Sequence, residues 1–510
     1  MINNRSTLVA AAAIATSICM QSPQSAASAA QPGSWGVNVG APFRGAGIKN
    51  LGAQWVRVSI AWSQVEGAAK GSYDWGQADK TVNYYLGNGF HVICILSVQT
   101  LAAPYSASAQ DTDTLSKAIA KWMGAAAQRY KGKGIVWEIG NEPEVFPMGG
   151  LWNQAYIYVG MATQAVAAIK QADPAAKVAA LSLAWMDKDF VSKALRANLL
   201  AQGNIDYLSF HGYHRWTLEA ESGLEADIQW LRAQAAVATP AGKPVPIVID
   251  SECGYSIAPF QSVKPKDAWR TIVYTEDAQA AYVARHYLEE IYMQIPISIW
   301  YRDMNGGASG FSLYYTDDTD PRGLRPAGKV YAALAEALPD SPAAMQNTQF
   351  AVSVSPKASA TDTAKLLAAA GVAVSSNPQL HVRSFLRVNS TGQRVLIIGA
   401  WNAIEAFDGK ILASRTFNGS LVSESWRDAT ANDPVSVPAR IKIDSLTKVT
   451  VKSTQVTTFQ HGSPSQQAGK LGTTADGKSI DLTLTSTPTM VQITFSGGPG
   501  APSDLRVTPP

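Results

Sequence analysis

Two carboxylates stand where apolar runs end. The run Gly134 to Gly140 leads straight into Asn141-Glu142-Pro143-Glu144, and the run Pro246 to Ile249 leads into Asp250-Ser251-Glu252-Cys253-Gly254. A carboxylate that closes an apolar strand is partly desolvated, which costs free energy unless it is paired or put to use there. If the two segments converge, Glu142 and Glu252 suit cleavage of a glycosidic bond: one carboxyl protonates the leaving oxygen while the other attacks the sugar or activates water. Read alone, Glu142 is also compatible with a loop acid before a proline, and Asp250 is the rival of Glu252 within its own turn. Glu138, on the same face of its strand as Glu142, reads as a structural partner of Arg57 rather than as a catalyst.

Such convergence needs a scaffold. From Trp35 to Leu338, short β-branched runs alternate with stretches of helical period. The strand candidates are Trp35–Val39, Trp55–Ile60, His91–Ser97, Gly134–Gly140, Lys177–Ser182, Ile205–Phe210, Pro246–Asp250 and Ile297–Trp300. Between them run apolar stripes such as Leu115, Ile119, Trp122 and Ala126, and Thr275 before Glu276 and Asp277 reads as a helix start. Repeated strand–helix units imply parallel strands, and eight of them imply closure into a (β/α)8 TIM barrel, with a doubly wound open sheet as the alternative. A barrel collects its chemistry at the C-terminal strand ends, where both carboxylates fall. Strict alternation would put Asn141 and Glu142 on opposite faces, so a bulged strand end is expected.

After Leu338 the pattern changes. Pro339 and Pro342 break the last helix, and Gln379–Val388, Asn389-Ser-Thr-Gly392 and Arg394–Ile398 read as a hairpin in an all-β module, most simply a sandwich. An alanine-rich stretch, Ala364 to Ala370, reads as a helix in the connection. At the other end, Arg5, the apolar run Leu8–Met20 and Ala27-Ser28-Ala29 match a cleavable export signal. The expected organisation is a signal at 1–30, a catalytic barrel at 31–340, a β-sandwich at 341–500 and a tail at 501–510. Beyond Cys19, the signal's own cysteine, Cys94 and Cys253 lie in apolar runs and read as buried thiols. The chain is expected outside the cytoplasm, secreted or periplasmic, as a monomer without a membrane span. With 42 Lys and Arg against 39 Asp and Glu and no clustered basic face, nucleic acid is excluded as a partner. Of 14 tryptophans only Trp401 and Trp426 follow Leu338, a concentration that suits a sugar-binding cleft.

Trp137-Glu-Ile-Gly-Asn-Glu-Pro143 resembles the fourth-strand motif of clan A retaining glycoside hydrolases, and Glu252 matches their strand-seven nucleophile. Arg57 on strand two, His211-Gly212-Tyr213 at strand six and Trp300 on strand eight also fit. Over Trp35 to Leu338, and with the trailing β-module, the chain resembles glycoside hydrolase family 39, including exopolysaccharide endoglycosidases, with family 5 cellulases as near relatives. Gly140 departs from family 39, whose motifs often place a bulky aromatic there. The resemblance implies double displacement on a β-linked polysaccharide or oligosaccharide, such as a bacterial exopolysaccharide, with no cofactor. It makes Glu142 the acid/base and Glu252 the nucleophile. Glu252 close by is expected to raise the pKa of Glu142. Arg57 is expected to keep Glu252 ionised through a bidentate contact, Tyr213 to donate to Glu252, and Asn141 to hold the sugar 2-hydroxyl.

Other readings fit less well. His211 and His214 lie three apart on a strand end, which splits their directions, and no third ligand accompanies them, so no metal is expected. A metal-dependent amidohydrolase would need histidines on strand one, which Trp35–Val39 lacks. A glycan-binding barrel without activity would have lost a carboxylate. Trp300 is expected as a sugar platform. Trp62 and Trp75 either line subsites or pin their loop, and the β-module is expected to support the barrel.

Overall fold

The computed structural model describes residues 32–39, 43–145, 154–213, 218–219, 223–257, 276–303, 310–315, 322–357, 380–403, 413–417, 420–424 and 436–496. The stretch read as an export signal, with Cys19, and also His214, Thr275, Trp426, the Ala364–Ala370 stretch and the 501–510 tail lie outside them.

Eight parallel strands close a barrel in sequence order: β1 (Trp35–Asn38), β2 (Trp55–Ala61), β3 (His91–Ser97), β4 (Val136–Ile139), β5 (Lys177–Leu183), β6 (Tyr207–His211), β7 (Ile247–Cys253) and β8 (Ser298–Trp300). Closure is made by β1 and β8, with Trp35 opposite Ser298. Each strand is covered on both sides, which is why each reads as a nearly unbroken apolar run. Inside, Trp55, Ile93, Val136, Ala179, Ile249, Ile297 and Ile299 fill the floor of the barrel. Above that floor the inward positions turn polar, beginning with Arg57 and Glu138, so the lower barrel is core and the upper barrel is site.

The helices follow their stripes. In Thr112–Arg129 the residues Leu115, Ile119, Trp122 and Ala126 are buried, and Asp111 caps the first turn by accepting from the N–H of Thr114 at 3.0 Å. Most of the described tryptophans serve packing instead of a cleft, and Trp152, Trp216 and Trp269 lie outside the described residues. Trp35, Trp62, Trp122, Trp137 and Trp300 are wholly buried, and Trp35 stacks on Tyr287 at 4.1 Å. Trp62 donates to Glu66 at 2.6 Å and Trp75 lies beneath Arg129, so both pin their loop. Cys94 and Cys253 are free and buried, as expected.

The C-terminal part is all-β: β9 (Val352–Pro356), β10 (Leu380–Val388), β11 (Arg394–Asn402), β12 (Ala413–Phe417), β13 (Ser420–Glu424), β14 (Val437–Asp444), β15 (Thr450–Gln460), β16 (Ser463–Ala468), β17 (Gly472–Thr473), β18 (Gly477–Leu484) and β19 (Thr489–Ser496). One sheet runs β10-β11-β19-β15-β16 and the other β17-β18-β14-β9, while β12 and β13 pair separately. Leu396, Ile398 and Ile493 from the first meet Ile441, Ile443 and Ile480 from the second in one apolar cluster, a sandwich. The expected hairpin is β10–β11. The sandwich grips the helix Glu276–Tyr292: Arg383 donates to Glu289 at 2.8 Å, and Trp401 donates at 2.7 Å to Glu219, which also pairs with Arg285. No helix among the described residues is long and apolar enough to cross a membrane.

Candidate active site

Arg57 is the hub. It projects from β2 into the barrel, fully buried, and serves two carboxylates: Nη1 donates to Glu252 Oε2 at 2.5 Å, and Nε donates to Glu138 Oε2 at 2.7 Å. Its Nη2 donates to Asn141 Oδ1 at 2.7 Å and to Ser182 Oγ at 3.2 Å. The expected bidentate clamp on Glu252 is therefore replaced by a fork divided between Glu252 and Glu138. Burial works against the guanidinium charge, and Glu138 and Glu252 overcome it and raise the pKa of Arg57. Burial likewise opposes the Glu138 anion, but Arg57 and His211 hold its pKa below the ordinary range. Glu138 is thus the structural partner that its strand position indicated.

Glu252 receives two further donors, Tyr213 to Oε1 at 2.8 Å and Asn38 to Oε2 at 3.4 Å. Its aim comes from an irregular end of β7. Asp250 pairs with Phe210 on β6 and Glu252 with His211, which leaves Ser251 as an extra residue. A bulge of this kind re-aims a side chain beside a site. The tyrosine's pKa is raised well above normal, first by burial and then by Glu252 and Glu142.

Glu142 enters from β4 by another route. Gly140 has φ +78° and Glu142 φ +48°, both left-handed, so the chain turns as it leaves the strand. Gly140 supplies that conformation without strain, which accounts for glycine where an aromatic was the alternative. The expected bulge at this strand end is a left-handed turn, and the bulges lie instead on β7 and on β5, at Leu181–Leu183. There Ser182, itself at φ +49°, accepts from the N–H of Glu142 at 2.8 Å. Such backbone is uncommon for residues other than glycine and clusters at functional sites.

His211 joins the two carboxylates. Its Nδ1 lies 2.9 Å from Glu142 Oε1, and one atom each of Glu142, His211 and Glu252 lie within 4.8 Å of one another. Burial opposes a charged ring, but Glu252 and Glu142 raise its pKa above the ordinary value. Glu142, Glu252, Arg57, Asn141, His211 and Tyr213 are therefore brought together. Trp300 is not presented as expected. Its ring is wholly buried and its indole N–H donates to the carbonyl of Phe311 at 3.0 Å, so it offers no free face to a sugar and supports the wall.

Further residues escaped the sequence reading. Glu144 accepts from the N–H of Ala184 at 2.5 Å while its Oε2 has no partner, and burial pushes its pKa up to about 7. Trp185, the next residue along, is 39% exposed at the end of β5. Asn38 and Ser182 reach the site from β1 and β5. The only available signal was their place just after or at the end of a strand.

The family model for cellulase (glycosyl hydrolase family 5) matches residues 20–283. No curated protein matches the sequence. Among solved structures, the chain is similar to a family 39 glycoside hydrolase from the gut symbiont Bacteroides cellulosilyticus WH2, at 16% identity and TM-score 0.58 over 91% of this chain and 81% of that one. It is also similar to a monomeric β-xylosidase from Caulobacter crescentus CB15, at 13% identity and TM-score 0.55 over 92% and 98%. A third likeness is the family 39 enzyme from Xanthomonas axonopodis pv. citri, at 14% identity and TM-score 0.54 over 91% and 94%. At these identities the structural likeness is one of fold, whereas the family match covers more than half of the chain. With a barrel that gathers paired glutamates at its C-terminal rim, this protein belongs to the cellulase family, glycosyl hydrolase family 5.

Proposed function

We propose that this glycoside hydrolase is an exported, retaining enzyme that cleaves β-linkages of a polysaccharide by double displacement. The observation that carries the reading is the approach of an oxygen of Glu142 and an oxygen of Glu252 to within 4.8 Å. Retention calls for carboxyl groups about 5 to 5.5 Å apart, whereas inversion needs roughly 6.5 to 9.5 Å to admit a water. Glu142 protonates the leaving oxygen as Glu252 attacks the anomeric carbon, and the leaving group departs with that proton. Glu142, now a base, takes a proton from water, which attacks the glycosyl-enzyme and releases Glu252.

The neighbours divide the remaining work. Arg57, Tyr213 and Asn38 orient the Glu252 carboxylate along the line of attack. Asn141, held through its Oδ1 by Arg57, has its amide N–H groups free to donate to the sugar 2-hydroxyl. His211 fixes the Glu142 carboxyl. An open polymer substrate such as a bacterial exopolysaccharide agrees with the export signal read in the first 30 residues. The test is a panel of β-linked polysaccharides with proton NMR of the first product. A β-anomer released before mutarotation supports the reading, and an α-anomer overturns it.

A further inference from the structure

On the side of β7 away from the cleft, Asp250, Cys253, His286 and Glu290 are packed together out of contact with water. Asp250 Oδ2 lies 3.0 Å from His286 Nε2, and the same ring nitrogen is 3.4 Å from Glu290 Oε1. Enclosing so many ionisable groups costs several kcal/mol unless they satisfy one another, so the cluster calls for a role. Desolvation opposes a charged ring, but the carboxylates of Glu290 and Asp250 beside it raise the pKa of His286 well above its ordinary value. Its Nε2–H then donates to Asp250.

The other oxygen of Asp250 points at the site's backbone. Oδ1 accepts from the N–H of Gly212 at 3.0 Å and from the N–H of Glu252 at 3.1 Å. These amides belong to different strand ends. Gly212 lies between His211 and Tyr213 after β6, and Glu252 is the residue that those two side chains approach. A Cβ on Gly212 would lie 2.1 Å from Asp250 Oδ2 and 2.8 Å from His286 Cε1, so the close approach requires glycine.

We propose that Asp250, oriented by His286, is a positioning residue that ties the end of β6 to the bulged end of β7 and so sets the Glu252 carboxylate against Tyr213. The inference rests on Glu252 being the nucleophile. The set of Asp, Cys and His also has the types that hold a transition metal, but Cys253 Sγ lies 3.4 Å from the carbonyl of Ile299 as a donating thiol does, and Asp250 Oδ1 is occupied by the two amides. Both features favour the clamp.

The test uses the full chain with Asp250→Ala, Asp250→Asn and His286→Gln. On the polysaccharide that wild type cleaves fastest, Asp250→Ala is expected to lower kcat about tenfold to a hundredfold with KM within about twofold, because substrate contacts survive and the attack geometry does not. Asp250→Asn, which keeps an acceptor for the two amides, recovers part of that loss. Amide hydrogen exchange by mass spectrometry gives a reading without substrate: segments 207–213 and 247–253 should exchange together about tenfold faster in Asp250→Ala, while 55–61 and 91–97 stay unchanged. Where Asp250→Ala does not fold, His286→Gln carries the same two readings, with kcat down about threefold or more. Unchanged kcat, a loss confined to KM, or faster exchange in only one segment overturns the clamp. If wild type cleaves nothing on the panel, the reaction proposed above fails by itself, and the exchange pattern alone decides whether Asp250 ties the strands.

Discussion

His211 Nδ1 lies 2.9 Å from Glu142 Oε1, so this carboxyl is already held by an imidazole from β6. The other ring nitrogen faces Ser182 Oγ at 3.3 Å and Arg57 Nη2 at 3.4 Å, which ties Glu142 to the same network that orients Glu252. The two carboxylates are thus positioned together.

If Glu142 and Glu252 are the acid/base and the nucleophile, Glu142→Gln and Glu252→Gln should each lower kcat by roughly a thousandfold or more while the chain still folds, as circular dichroism would show. Azide gives a sharper reading. Added to Glu252→Gly it should restore turnover with an α-glycosyl azide as product, and added to Glu142→Ala it should yield a β-glycosyl azide. Strong turnover by Glu252→Gln without azide would sink the nucleophile assignment.

Arg57 is fully buried between two carboxylates, so Arg57→Met leaves Glu138 and Glu252 without their cation. Loss of one partner of a buried ion pair costs about 3 to 5 kcal/mol, and denaturant melts should show a loss of that size. The double variant with Glu138→Gln should regain part of the stability but little of the activity, because Glu252 keeps Tyr213 and Asn38 yet still lacks its cation.

Glu144, with its pKa raised by burial to about 7, links stability to pH. An unfolded glutamate titrates near about 4.3, so between that pH and about 7 the folded chain holds the extra proton. Its contribution is fully present below pH 4.3 and is lost as pH rises through 7. Calorimetry from pH 5 to pH 8 should show a fall in Tm, and Glu144→Gln should flatten that fall; an identical slope would remove Glu144 as its cause.

Trp185 stands at the rim one residue beyond Ala184, whose N–H holds Glu144. If Glu142 is the acid and the substrate a polymer, this exposed indole is expected to stack on the leaving part. Trp185→Ala should lower kcat/KM on polysaccharide about tenfold while hydrolysis of an activated aryl glycoside changes less than twofold. Equal losses on both substrates would contradict this placement.

The period of the chain pointed to a barrel ahead of an open sheet and to an all-β module after it, and its strand ends singled out Glu142 and Glu252, the latter with Asp250 as rival. Alternating apolar runs have few ways to bury their faces, and a carboxylate ending such a run is conspicuous because burial makes it costly. Glu138 as partner of Arg57 was legible because strand position indicates which way a side chain points, whereas Tyr213 as donor to Glu252 came from the resemblance to clan A glycoside hydrolases. What only the tertiary structure decided lies where strands end irregularly. The positive φ at Glu142 and at Ser182 and the extra residue at Ser251 run against the local preference of those residue types, and contacts between strands hold them, such as the 2.8 Å bond from the N–H of Glu142 to the carbonyl of Ser182. The same holds for burial. Trp300 and the other core tryptophans have the composition of a sugar platform, but whether an indole meets solvent depends on what packs over it from distant parts of the chain. Asp250 stood in plain view beside Glu252, yet its contact with His286 exists only because the packed helix brings that ring to it.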